Sequence, residues 1–290
     1  MSNTAQSFHD KWSRNESLVF AETLRSDSDI HQWILNRNGF HTDDDLRMFL
    51  LNKRRILDAG CGNGRVTALL HEYSDPEHTE IVAIDLVAAA IAKNNLAQYR
   101  NITVLEMDLL SDLSELGQFD FIYCQEVLHH TADPQSAFAH LRSLLADDGE
   151  IAIYVYKQKA PVREFVDDYI RERITALSYD DAIKVCDQIT ELGRLLSESG
   201  VTVYVPSVDI LQIEAGEYSL QRFIYHFFMK CFWSADLSFH ENSVINYDWY
   251  HPQICSRHTL AEVRQWFHEN HVSITHECVD PYGITVRGRA

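Results

Sequence analysis

Apolar positions in this chain follow two rhythms. Between Lys53 and Tyr156 short, nearly continuous apolar runs alternate with stretches of helical spacing. The runs Arg55–Ala59, Ile81–Asp85, Ile102–Glu106, Phe119–Cys124 and Glu150–Tyr156 have the length and the Ile/Val/Phe/Tyr content of strands covered on both faces. The Ala-rich Val87–Tyr99 and the stretch Pro134–Leu145, which ends at Asp147-Asp148-Gly149, read as helices between them. Such alternation predicts an α/β domain with a parallel sheet and crossover helices. Near the end, Thr259-Leu260-Ala261-Glu262 has capping-box spacing, and Leu260, Val263, Trp266 and Phe267 form a helical stripe. Val272–Cys278 and Ile284–Arg287 flank the turn Asp280-Pro281-Tyr282-Gly283, which predicts a terminal hairpin.

The interval Lys157–Arg257 is far longer than the roughly two to six residues of an ordinary connection. It therefore reads as an inserted, largely helical subdomain. Pro161–Leu177 and Asp180–Ser199 have amphipathic spacing, and Glu217–Trp233 reads as an aromatic-rich helix. Four segments result: a helical cap over 1–52, a core over 53–156, an inserted lid over 157–256, and a closing helix with hairpin over 257–290.

Composition narrows the function. A formal net charge of -18 over 290 residues repels nucleic acid and anionic membranes, so neither is an expected partner. The cysteines 61, 124, 186, 231, 255 and 278 show no Cys-x-x-Cys pair, which points to a reducing compartment and away from a metal site. Met1–Asp10 lacks an apolar signal core, and the chain reads as soluble and cytoplasmic.

In an open parallel sheet ligands bind beyond the carboxyl ends of the strands. There the chain carries Ile56-Leu57-Asp58-Ala59-Gly60-Cys61-Gly62-Asn63-Gly64-Arg65, a strand ending in an acid followed by a glycine turn that opens a helix. Such a turn offers bare backbone N–H groups and a helix N-terminus to a ligand. Asp85, with Leu86 beside it, ends the second run roughly twenty residues after the last glycine, where a carboxylate accepts from ribose hydroxyls. Asp108 and Leu109 follow the third run; Gln125 and Glu126 follow the fourth. Each acid taken singly also fits a helix cap or a solvated turn.

Together they resemble the class I S-adenosylmethionine (SAM) methyltransferases. Asp-x-Gly-x-Gly-x-Gly over Asp58–Gly64 is similar to that family's first motif, and Phe119–His130 to its fourth. The resemblance implies a Rossmann-like seven-stranded sheet with a C-terminal antiparallel hairpin. It also implies SAM as cofactor, held by Asp58, Gly60, Gly62, Gly64, Asp85, Leu86, Asp108, Leu109 and Gln125, with Asp108 at the adenine amino group and Leu109 against the base.

Acceptor-side candidates come from elsewhere. Arg222, His226 and Lys230 recur every fourth position, either to meet an anionic group or as the solvated face of a buried lid helix. Asn246–Pro252 gathers Tyr247, Trp249, Tyr250 and His251, either at an acceptor site or as a packed connector. Trp12 either closes the site from the N-terminal side or belongs to the core. Where the nucleophile arrives protonated, His129, His130, Glu126, Tyr250 and His251 are the candidate bases. The reading is methyl transfer to O, N or a methionine-like thioether S of a small molecule, by a monomer or homodimer. A SAM-binding regulatory or scaffold protein without turnover is the alternative. An NAD-linked oxidoreductase is disfavoured by the glycine spacing and the terminal hairpin.

Overall fold

The computed structural model describes residues 2–290. Four helices come first: α1 (Asn3–Arg14), α2 (Phe20–Leu24), α3 (Asp29–Arg37) and α4 (Asp43–Leu50). Strands and helices then alternate: β1 (Arg55–Ala59), α5 (Arg65–Tyr73), β2 (Glu80–Asp85), α6 (Ala89–Asn95), β3 (Ile102–Glu106), β4 (Phe119–Gln125), α7 (Pro134–Ser143) and β5 (Leu145–Tyr156). The inserted segment forms α8 (Pro161–Ile174), α9 (Tyr179–Glu198), β6 (Thr202–Val205), β7 (Gly216–Ser219), α10 (Leu220–Phe227) and α11 (Phe239–Tyr250). The chain closes with α12 (Leu260–Glu269), β8 (Ser273–Val279) and β9 (Gly283–Arg289).

The main sheet has the order β3-β2-β1-β4-β5-β9-β8, a mixed α/β arrangement of seven strands. Strands β1 to β5 pair in parallel, and β9 joins β5 and β8 antiparallel. The order reverses between β1 and β4, so the crevice for a ligand opens where those two strands end. One face of the sheet packs on α7 and α12 through Phe138, Leu141, Trp266 and Phe267; the other packs on α3, α4 and α5 through Leu35, Leu50 and Leu69. The capping box expected at Thr259 and Glu262 starts α12.

Contacts divide the chain into two compact units. One comprises Trp12–Lys157 with Ser256–Ala290; the other comprises Gln158–Cys255 with the N-terminal residues through Lys11. The expected cap over 1–52 is thus split within α1, for a reason visible in its hydrogen bonds. Asn3 donates to the Thr175 carbonyl at 2.8 Å, Thr4 Oγ1 accepts from Ile254 N at 2.9 Å, and Lys11 pairs with Asp248 at 3.0 Å. The expected helix over Glu217–Trp233 is also shorter. Its first residues pair as β7 with β6, and it ends at Phe227, with the backbone N–H of Lys230 drawn to Asp167 instead.

Candidate functional site

The glycine loop joins β1 to α5. Gly60 and Cys61 donate to the Ile84 carbonyl at 2.7 and 3.0 Å, which holds the loop against the end of β2. Gly60 adopts φ 84, and a Cβ there would overlap the Val127 methyl groups. Gly62 lies under Trp12, whose Cζ2 would sit 2.7 Å from a Cβ at that position. Asn63, fully buried, donates to the carbonyls of Glu16 and Leu18. Gly64 caps the N-terminus of α5. The loop is therefore pinned from three sides with its backbone in a conformation that side chains resist.

Asp85 closes the loop. Its Oδ2 accepts from Gly62 N at 2.9 Å, and its Oδ1 from Val87 and Ala88 N at 2.9 and 2.8 Å. Asp58 is buried and takes a hydrogen bond from the Thr67 hydroxyl at 2.6 Å. Burial, reinforced by the nearby Asp85 charge, raises its carboxyl to about 7. Leu86 is exposed, Leu109 is buried, and Asp108 is exposed with Oδ1 accepting from Leu110 N at 2.9 Å. Gln125 is sealed against Asn38, each amide serving the other. No amide atom of that pair is directed at a ligand through these bonds.

Glu126 follows β4 with φ 68, a left-handed backbone in a residue with a Cβ. Its half-buried carboxylate meets Arg65 Nη2 at 3.3 Å and Arg37 Nη2 at 3.7 Å. His129 is fully buried with its ring 3.7 Å from that of Tyr156, and its carbonyl accepts from Ser256 N at 2.8 Å. His130 is half-buried beside it, the ring centroids 4.3 Å apart. The sequence reading missed Arg37 and Arg65. A basic residue in the last turn of α3 and one directly after the third glycine were the available signals.

The acceptor candidates of the Gln158–Cys255 unit are placed differently from the expectation. Tyr250 is fully buried, its hydroxyl 2.8 Å from Asp167 Oδ1 and 2.7 Å from the Lys230 carbonyl. The Trp249 indole donates to Asp167 Oδ2 at 2.8 Å. The His251 ring meets Ser7 Oγ and Tyr247 Oη through Nδ1 and the Leu177 carbonyl through Nε2. Burial lowers the pKa of His251. These side chains hold the unit's interior together, so the assignment of Tyr250 and His251 to proton transfer, and of Tyr247, Trp249 and Tyr250 to acceptor contact, is corrected. Their hydrogen-bonding capacity is used internally because α11 presents them to α8 and α9, not to solvent. Lys230 is buried too, its ammonium on the Ile245 carbonyl at 2.9 Å, and so leaves the basic stripe. Arg222 and His226 remain together on α10, both half-buried beside Tyr225.

The core unit fits a nucleoside-type cofactor on its own geometry. It has a tight glycine cradle, a helix N-terminus, a carboxylate as the last residue of β2, and a buried acid near the end of β1. A family described as a methyltransferase domain matches residues 57–151. An uncharacterised protein of Synechococcus sp. is 39% identical over 121 residues, covering 39% of this chain and 28% of that protein. A ubiquinone biosynthesis O-methyltransferase of Pseudomonas aeruginosa is 26% identical over 204 residues, covering 63% of this chain and 83% of that protein. The chain thus spans about a quarter of the first relative's length and most of the second's. Among solved structures, PKMT2 from Rickettsia typhi is similar in fold, with a TM-score of 0.53 and 14% identity over 83% of this chain and 51% of that one. The glycine loop, the sheet order and the matched domain agree: residues 57–151 form a methyltransferase domain of the class I, SAM-dependent kind.

Proposed function

We propose that the protein transfers the methyl group of SAM to a small-molecule acceptor. The observation that carries this reading is the junction of β1, β2 and β4, where the pinned glycine loop, Asp58, Asp85 and Glu126 all stand at strand ends of one unit. In this reading the Gly60–Gly64 loop and Asp85 hold the nucleoside part, and Leu109 lies against the base. Bound SAM supplies an already activated methyl group on a sulfonium. The chain's own contribution is alignment and exclusion of water, which suffices for in-line displacement. A hydroxyl or ammonium acceptor must also lose a proton. Of the two histidines after β4, His130 is the one not wholly buried and is the candidate for that step.

Hydroxyl compounds head the list of acceptors to test, because the relative in P. aeruginosa is an O-methyltransferase. Incubation with SAM and separate panels of phenols, amines and thioethers should release S-adenosylhomocysteine with one panel. Tight SAM binding with no release from any panel would make the protein a SAM-binding regulator instead. Asp85→Ala should weaken SAM binding by about 2–3 kcal/mol in calorimetric titration, since it removes charge-assisted contacts. Unchanged affinity would remove Asp85 from the cofactor site.

A further inference from the structure

In a chain of net charge -18, the amino-terminal side of the core sheet gathers cations around a single acid. Glu150 stands in register with Phe121 of β4 and with Arg289 of β9. It precedes the carboxyl end of β5 by six residues, about 20 Å of strand. Side chains two apart on a strand share a face, so Arg287 and Arg289 project beside it, and Lys53 arrives from the loop after α4. Lys53 Nζ lies 3.3 Å and Arg289 Nη2 3.2 Å from Oε1, with Arg287 Nε 3.6 Å from Oε2. No second acid pairs with any of the three among the described residues.

The electrostatics of Arg287 follow from that count. Burial lowers its pKa, Glu150 is the one acid that opposes this, and the charge of Arg289 lowers it further. Its Nε is shielded from solvent and lacks a hydrogen-bond partner, because 3.6 Å is beyond reach. The cationic heads are nonetheless held in place. The Arg287 guanidinium lies 4.8 Å from the rings of both Phe40 and Phe49 and donates through Nη1 to the Asn38 carbonyl at 3.1 Å. Lys53 lies over Phe49 at 4.8 Å. The Arg289 side chain is 53% exposed, so the cluster opens to solvent there.

We propose that Lys53, Arg287 and Arg289 form a phosphate-binding site on the amino-terminal side of the core sheet, remote from the glycine loop. Glu150 holds the three heads together and cancels one of their charges; a phosphate dianion balances the rest. Lys53 and Arg289 reach the same oxygen of Glu150, so their nitrogens are close enough to bridge one tetrahedral ion. Arginine meets phosphate through paired N–H groups, and lysine adds a point charge.

The test titrates the full chain with inorganic phosphate and with phenyl phosphate by calorimetry, ionic strength being held constant with chloride. One equivalent of phosphate should bind with a Kd on the order of 1 mM, the strength open to so small an ion. Arg289→Gln and Lys53→Gln should each weaken binding about tenfold, and neither strands Glu150, because two cations remain on it. Arg289→Lys should recover part of the loss by keeping the charge without the fork. Saturation with S-adenosylhomocysteine should leave the phosphate affinity unchanged. Displacement of phosphate by that nucleoside would put the ion at the glycine loop and overturn the proposal. Equal binding in the parent and both glutamine variants, or no saturable binding above chloride, would overturn it too. Phenyl phosphate binding as tightly as the free ion assigns the site to a phosphate monoester; binding of inorganic phosphate alone assigns it to the free ion. Should Lys53→Gln fail to fold, the exposed Arg289→Gln decides, and it does so even if S-adenosylhomocysteine does not bind.

Discussion

Asp58 and Asp167 are two aspartates shut away from solvent, 3% and 0% exposed, one in each compact unit. Their surroundings are opposite. Asp167 accepts from Arg163 Nε at 3.1 Å, the Trp249 indole at 2.8 Å, Lys230 N at 2.9 Å and the Tyr250 hydroxyl at 2.8 Å. Asp58 accepts from the Thr67 hydroxyl, and burial raises its carboxyl to about 7. A buried charge is tolerated only when partners replace its water. Asp167 has its donors within the unit and is architecture, whereas at Asp58 the cost of burial outweighs the bond from Thr67. The arginines repeat the contrast. Arg163 is bonded to Asp167 and packed over Tyr225 at 4.6 Å, whereas Arg37 keeps two nitrogens, Nε and Nη1, without an acceptor.

The largest effect should come from removing the saturated member of the pair. Asp167→Ala strands the Arg163 guanidinium together with the indole of Trp249 and the hydroxyl of Tyr250. Breaking one side of a buried ion pair costs about 3–5 kcal/mol, and the urea midpoint should fall accordingly. Asp167→Asn retains one acceptor oxygen and should lose less. A loss below about 1 kcal/mol for Asp167→Ala would put it outside the range for a buried pair and erase the distinction.

A smaller effect is expected at the loop. Gly60→Ala places a methyl group against Val127 and imposes φ 84 on a residue with a Cβ. Overpacking and left-handed strain together should cost about 2–4 kcal/mol. Val127→Ala should return the packing part and leave the strain, which a double-mutant cycle on denaturation separates. Complete recovery would mean that contact alone requires the glycine; no recovery would mean that the backbone alone does.

The fold was legible wherever local pattern and tertiary context agree. Four of the five core strands read as apolar runs because β1, β2, β4 and β5 are largely buried, whereas the edge strand β3 stays half-exposed; the terminal hairpin was marked by its Pro/Gly turn. The inserted unit was less legible, since its aromatic residues are apolar on nearly every side and leave no period to read. Ser238 and Glu241 did carry a capping box, which begins α11, so the Asn246–Pro252 cluster belongs mostly to a helix and not a connector. At the site, the motif residues were visible because glycine and acid spacing is imposed by backbone geometry. Arg37 was not visible, because its burial depends on Trp33 and Tyr154 meeting from distant parts of the chain.

The smallest effect concerns pH and tests the unsatisfied member directly. The Asp58 carboxyl sits at about 7 in the folded protein against an ordinary value of 3.8. Between those values the folded chain retains a proton that the unfolded chain has released, so the folded state binds more protons and stability falls as pH rises. The contribution is complete below the ordinary value and lost above the raised one. Asp58→Asn carries no titrating group, so its stability relative to the parent should improve from pH 5 to 7, on the order of 1–2 kcal/mol in denaturant unfolding. Saturating S-adenosylhomocysteine should flatten the parent's slope if its ammonium meets Asp58, because an opposite charge favours the ionised carboxylate. Parallel pH profiles for parent and Asp58→Asn without ligand would show Asp58 ionised throughout, as well compensated as a carboxylate with a full set of donors, and the contrast with Asp167 would fail.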